Sequence, residues 1–224
     1  MRDSEKALDK TNDRAYCQSV GKGEVTRQAI LDQAVGLATR VGLGGLTIGR
    51  LADDLQLSKS GLFAHFRSKE ALQIQVLEAA SVRFVDAVLK PALAERRGEP
   101  RLRALFERWL AWSSSHSRPG GCLFVAASIE LDDQAGAPRE RLVELQKDWL
   151  EVLAGAVRIA IAEGHFRADV DPGQFAHDLY GVALAYHHAA RLLRDPEARK
   201  RAENGFESLV RSARAPLAAR RKSG

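Results

Sequence analysis

Between Leu46 and Glu70 the chain reads LTIGRLADDLQLSKSGLFAHFRSKE. Small polar, basic and ring-bearing residues crowd one short part of it: Ser58, Lys59, Ser60, Gly61, Phe63 and His65. This set suits contact with a polyanion. Small side chains let a backbone approach closely, and Lys59 and Ser60 can reach base edges. Thr47, at a helix N-terminus, can hold a phosphate through its hydroxyl and a free amide. Lys69, in a first helical turn, can add a charge-assisted phosphate bond. A short rigid helix presenting such groups fits the major groove of DNA.

Those residues need a frame. Ile48, Leu51, Ala52, Leu55, Leu57, Leu62 and Phe66 recur at helical spacing and can close one small core. Thr47 and Ser58 are N-caps for two short helices joined tightly at Gln56-Leu57. Ahead of them, Ile30, Ala34, Leu37, Ala38 and Val41 form one face of a helix starting near Thr26. Gly42 and Gly44-Gly45 close it. Ser68 caps a long helix, Lys69 to Leu89, that Pro91 stops.

The rest of the chain reads in the same way, and no segment alternates like a strand. Pro100, Pro119 and Pro138 open helices. Asp171-Pro172 and Asp195-Pro196 are cap-plus-first-residue pairs that open the last two, near 172–193 and 196–213. The fold class is therefore all-α, with nine helices in two parts. Residues 1–24 are expected to be an unstructured arm and 215–224 a basic unstructured tail. Residues 25–67 form a three-helix unit, and 68–214 a larger helical domain.

With its order, spacing and residue types taken together, GLTIGRLADDLQLSKSGLFAHFRSKEAL resembles the DNA-binding region of the TetR (TetR/AcrR-like) family of bacterial transcriptional regulators. The resemblance implies a helix-turn-helix with Ser58 to Ala64 as recognition helix. It also implies that Thr47, Lys59, Ser60, Gly61, Phe63, His65 and Lys69 occupy DNA-contacting positions. Phe63 stands where tyrosine is common, so no hydroxyl is available there for a phosphate. Gly49 offers no groove-facing side chain.

Past residue 72 the resemblance is architectural. It implies a ligand-binding and dimerisation domain whose last two helices make a four-helix bundle with a partner. Phe175, Leu179, Val182 and Tyr186 form a stripe on one helix; Ala202, Phe206, Leu209 and Val210 form a stripe on the next. Gly181 and Gly205 would permit close approach. Either stripe could equally be intramolecular core. Trp109, Trp112, Cys122, Phe124, Ser128, Trp149, Phe166, Tyr180 and His188 are bulky or mildly polar residues in aliphatic helices. They are candidates to line a small-molecule cavity.

Composition narrows the alternatives. The 224 residues carry a net charge of +5, but residues 211–224 alone hold five cations (Arg211, Arg214, Arg220, Arg221, Lys222) and no acid. The basic excess is thus mostly terminal. Two cysteines, Cys17 and Cys122, cannot build a disulfide framework. His177 and His188 lie about 16 Å apart along a helix, too far to share a metal. No catalytic set, phosphate loop, apolar leader or membrane-length run is present. The expectation is a cytoplasmic, non-enzymatic homodimer without cofactor that binds a palindromic DNA operator. As a repressor it would release that operator when a small molecule binds. A DNA-binding dimer with no effector, and a helical protein-interaction module, are the rival expectations.

Overall fold

The computed structural model describes residues 12–115 and 120–215. Residues 1–11 of the expected arm, Pro119, and the tail cations Arg220, Arg221 and Lys222 lie outside them. Among the described residues every regular element is a helix. In chain order they are α1 (Asn12–Val41), α2 (Ile48–Leu55), α3 (Lys59–Phe66) and α4 (Lys69–Phe84). Then follow α5 (Glu99–Ser113), α6 (Leu123–Leu131), α7 (Ala137–Ala162), α8 (Pro172–Arg191) and α9 (Ala198–Ala213).

Four boundaries differ from the sequence reading. Helix α6 starts at Leu123 rather than at Pro119, because Gly120 and Gly121 precede it outside any helix, with Gly121 at a φ of +78°. Helix α1 starts at Asn12, not near Thr26. Residues 12–25 contain no proline, so a helix anchored by its apolar second half can propagate backwards through them. Pro91 does not stop α4. The chain widens into a π-helical turn (Val85–Leu89), in which the Lys90 amide donates to the Val85 carbonyl, and then adds one more α-helical turn (Lys90–Leu93). Proline lacks an N–H and its ring crowds the carbonyl four residues back, so a wider register just before it relieves the conflict. Helix α9 begins at Ala198, because Asp195 accepts the Glu197 amide in a turn before the helix.

Two cores organise the molecule. One joins α1, α2, α3 and the first half of α4 around Leu43, Leu51, Leu62, Phe66 and Leu77. The other joins the far end of α4 with α5, α7, α8 and α9 around Leu102, Trp109, Val157, Phe175 and Phe206. Helix α6 serves both. Leu123, Ala127 and Leu131 are buried in the first core, whereas Cys122 and Val125 are buried in the second. The three-helix unit therefore does not end at residue 67; its core takes in α4 and α6. The loop before α6 lies so close to α1 that a Cβ on Gly120 would overlap the Thr39 carbonyl oxygen. Leu57, expected inside, is 47% exposed, because the turn at Gln56 adopts a left-handed conformation and carries the next residue outward.

Candidate nucleic-acid interface and interior cavity

The α2–α3 unit is assembled by local capping. Thr47 accepts the Arg50 amide at 3.1 Å and Ser58 accepts the Gly61 amide at 3.2 Å, fixing the start of each helix. Ser68 caps α4 through the Ala71 amide at 3.0 Å. Leu62 and Phe66, four apart, are buried under α3. That anchoring turns the opposite side of α3 to solvent. Thr47, Ser58, Lys59, Ser60, Gly61, Phe63, His65 and Lys69 are all exposed, with Phe63 at 54%. The structure thus gathers the sequence-derived DNA candidates on the outside of one helical unit. The Lys59 side chain lies over Gly49, its Cε 3.6 Å from where a Cβ would sit. The glycine that offers no contact of its own leaves room for the lysine.

Lys69 has a partner within the chain: its Nζ donates to the Gly44 carbonyl at 2.7 Å. The Gly42–Gly45 turn, which leads into α2, is also held from two other points. Gln73 on α4 donates to the Leu43 carbonyl at 2.8 Å, and the Gly44 amide donates to Glu130 on α6 at 2.7 Å. Neither Gln73 nor Glu130 stands out in the sequence, because each acts across a long chain separation on a backbone group.

A cavity of about 240 Å³ lies where α4, α5, α6, α7 and α8 meet. Of the candidates for its wall, Trp109, Cys122, Phe124, Trp149 and Tyr180 line it. The others do not. Trp112 is buried edge-on against Phe84, with ring centroids 5.4 Å apart. Phe166 packs on Phe175, away from the cavity. Ser128 lies in a neighbouring groove, and His188 is exposed on α8. The residues that sequence reasoning missed are Ser81 and Phe84 from α4, Val85 and Leu89 from the π-helical turn, Val125 from α6, and Leu145, Gln146, Asp148 and Val152 from α7. Phe84 is the hub of the aromatic wall, meeting Phe124 and Trp149 edge-on at 5.9 and 5.0 Å. The Tyr180 hydroxyl donates to Gln146 Oε1 at 3.0 Å, and Gln146 Nε2 donates to the Phe124 carbonyl at 3.0 Å. Burial pushes the Tyr180 phenol above its ordinary pKa, outweighing the Gln146 hydrogen bond, so the phenol stays protonated.

The expected dimer stripe is corrected by burial. Phe175, Leu179, Tyr186, Ala202, Phe206 and Val210 are buried within the single chain, and Phe206 stacks on Phe106 at 4.2 Å. Val182 and Leu209 are half-buried against the same core. A Cβ on Gly205 would meet Val182 at 3.2 Å, so this glycine serves the α8–α9 contact inside one chain. Gly181 instead faces open space. No group of side chains able to hold a metal occurs among the described residues, and no described helix is long and apolar enough to cross a membrane.

Comparison with known proteins matches both cores. Residues 30–76 match the domain described as bacterial regulatory proteins, tetR family. Residues 98–206 match the tetracyclin repressor-like C-terminal domain. The HTH-type transcriptional repressor NemR of Escherichia coli K12 is 25% identical over 175 residues, 77% of this chain and 87% of its own. A TetR transcriptional regulator from Chloroflexus aurantiacus superposes with a TM-score of 0.72 at 25% identity, covering 87% of this chain and 99% of the other. The structure of AibR in complex with isovaleryl coenzyme A and operator DNA shares the fold, with a TM-score of 0.64 at 23% identity over 85% and 99% of the two chains. Reader and cavity domains occur in the order, and at the places, that these matches require, and the chain belongs to the TetR family of transcriptional regulators.

Proposed function

We propose that this regulator is a ligand-responsive repressor that binds a palindromic operator as a homodimer and lets go when a small molecule fills the cavity. One observation carries the reading. Helix α6 lines the cavity with Phe124 and Val125 at its start and holds the α1–α2 turn with Glu130 near its end. A ligand that displaces the start of α6 must therefore strain the hold on the reading unit. The release is a population shift: the ligand acts only as far as it prefers the arrangement in which the two readers are wrongly spaced. The NemR relative is a repressor, which supports repression here, and the AibR fold neighbour was solved with a small molecule and operator DNA, so this fold can carry a ligand site beside a DNA reader.

A single reader of this size gives modest affinity, whereas two readers about 34–36 Å apart meet successive major grooves. The partner surface we infer is the outward face of α8, where Gly181, Leu184, Ala185 and His188 fall at helical spacing and are exposed. Exposed Leu192 and Leu193 continue it. Within that dimer, Lys59 and Ser60 read bases, while Thr47, His65 and Lys69 hold phosphates.

The test is a selection from random duplex oligonucleotides with the purified chain, followed by size-exclusion of the Leu184→Glu variant. The expected results are an enriched palindrome and a monomeric variant that loses site-specific binding. A chain that enriches no sequence overturns the reading.

A further inference from the structure

We propose that the cavity recognises a small organic cation, an ammonium group carried on an apolar or aromatic body, with Asp148 as its counter-charge. This rests on the cavity being the effector site. The first observation is the charge of the wall. Among the described lining residues Asp148 is the one carboxylate, and none of them is a lysine, arginine or histidine. It is exposed, which puts it at the rim, and it forms no ion pair with any described residue. An anion entering this space would leave water for described wall residues that carry no positive charge and would meet a negative one.

The second observation is the aromatic density. Phe84, Trp109, Phe124, Trp149 and Tyr180 surround the space. Ring faces attract a cation through their quadrupoles, and tryptophan does so most strongly. The third is the polar handle in the wall. Tyr180 has spent its proton on Gln146, and its oxygen, which the Ser128 hydroxyl also approaches, has only acceptor capacity left, which suits a ligand that donates. Arg139 and Lys147 line a separate groove whose described lining shares only Gln146 with the cavity. Gln146, which the two spaces share, is tied to Phe124 and Tyr180. At about 240 Å³ the space falls below the roughly 300–1,000 Å³ of drug-sized sites, so the cation is small.

The experiment is a tryptophan-fluorescence titration of the full chain, since Trp109 and Trp149 line the cavity. Three probes of similar shape separate the possibilities: phenyltrimethylammonium, its uncharged isostere tert-butylbenzene, and benzenesulfonate. The expected result is saturable binding of the cation about tenfold tighter than the isostere, and none of the sulfonate. Asp148→Asn should bring the cation down to the affinity of the isostere and leave the isostere unchanged. Because Asp148 is exposed, the variant should keep the wild-type melting temperature. Equal binding of cation and isostere, or a cation affinity untouched by Asp148→Asn, overturns the proposal while leaving the effector site standing. Saturable binding of none of the three overturns both.

Discussion

Glu130 and Gly44 are 86 positions apart in sequence, yet the carboxylate of one accepts the backbone amide of the other at 2.7 Å. Glu130 also abuts Gly42, which sits in the left-handed region at a φ of +80°, and a Cβ there would lie 2.6 Å from the carboxylate. The second domain thus grips the turn that aims α2. Glu130→Ala should cost about 1–3 kcal/mol, the usual loss when a charge-assisted hydrogen bond is removed from a partly buried donor. Urea unfolding measures it. Glu130→Gln, which keeps an acceptor, should lose less. If both unfold like wild type, the contact contributes nothing to holding the turn.

Lys69 should behave as a phosphate clamp and Lys59 as a reader. Lys69→Ala is expected to weaken binding to all DNA sequences alike. It should also flatten the slope of log affinity against log salt by about 0.9. Lys59→Ala should instead narrow the gap between specific and non-specific sites. Anisotropy titrations over a salt series check both, and an unchanged slope for Lys69→Ala would remove its phosphate role.

Phe84 is 8% exposed and holds edge contacts to Trp112, Phe124 and Trp149. Phe84→Ala should destabilise the chain by about 3–5 kcal/mol, since transfer and cavity terms add. It should also shift the tryptophan emission to the red as water reaches the enlarged cavity. A smaller loss with unshifted emission would mean that the neighbouring rings collapse into the gap.

Glu99 ties the start of α5 to the end of α9. It accepts from Arg214 at 3.0 and 2.5 Å and from Arg103 at 2.9 Å. Burial alone would raise its pKa, but the hydrogen bonds and charges of Arg214 and Arg103 together outweigh it, and the carboxyl is held below its ordinary 4.5. The folded state then binds fewer protons than the unfolded chain. The stability it adds is complete above about pH 4.5 and is lost as pH falls through the lowered value. Glu99→Gln should cost roughly 1.5–3 kcal/mol near neutrality, toward the lower end because Arg214 is 42% exposed. Its melting temperature should fall less steeply in acid than that of wild type. Parallel curves for the two proteins would show that Glu99 does not carry the acid sensitivity.

Local chemistry was legible in the residues alone. Caps at Thr47, Ser58, Ser68 and Asp171, glycines and prolines at helix ends, and apolar spacing defined the helices and the outward side of α3, because each involves neighbours within a turn or two. The choice between faces was not. Phe175, Leu179 and Tyr186 read equally well as a partner surface or as core, and only the packing of α7 and α9 against α8 put them inside and left Gly181 and Leu184 outside. Likewise Trp109 and Trp149 came to share a cavity while Trp112 did not, and Glu130 came to touch Gly44. Each of these depends on how helices cross in space. Periodicity records which residues share a face of one helix; what lies against that face is decided by distant parts of the chain.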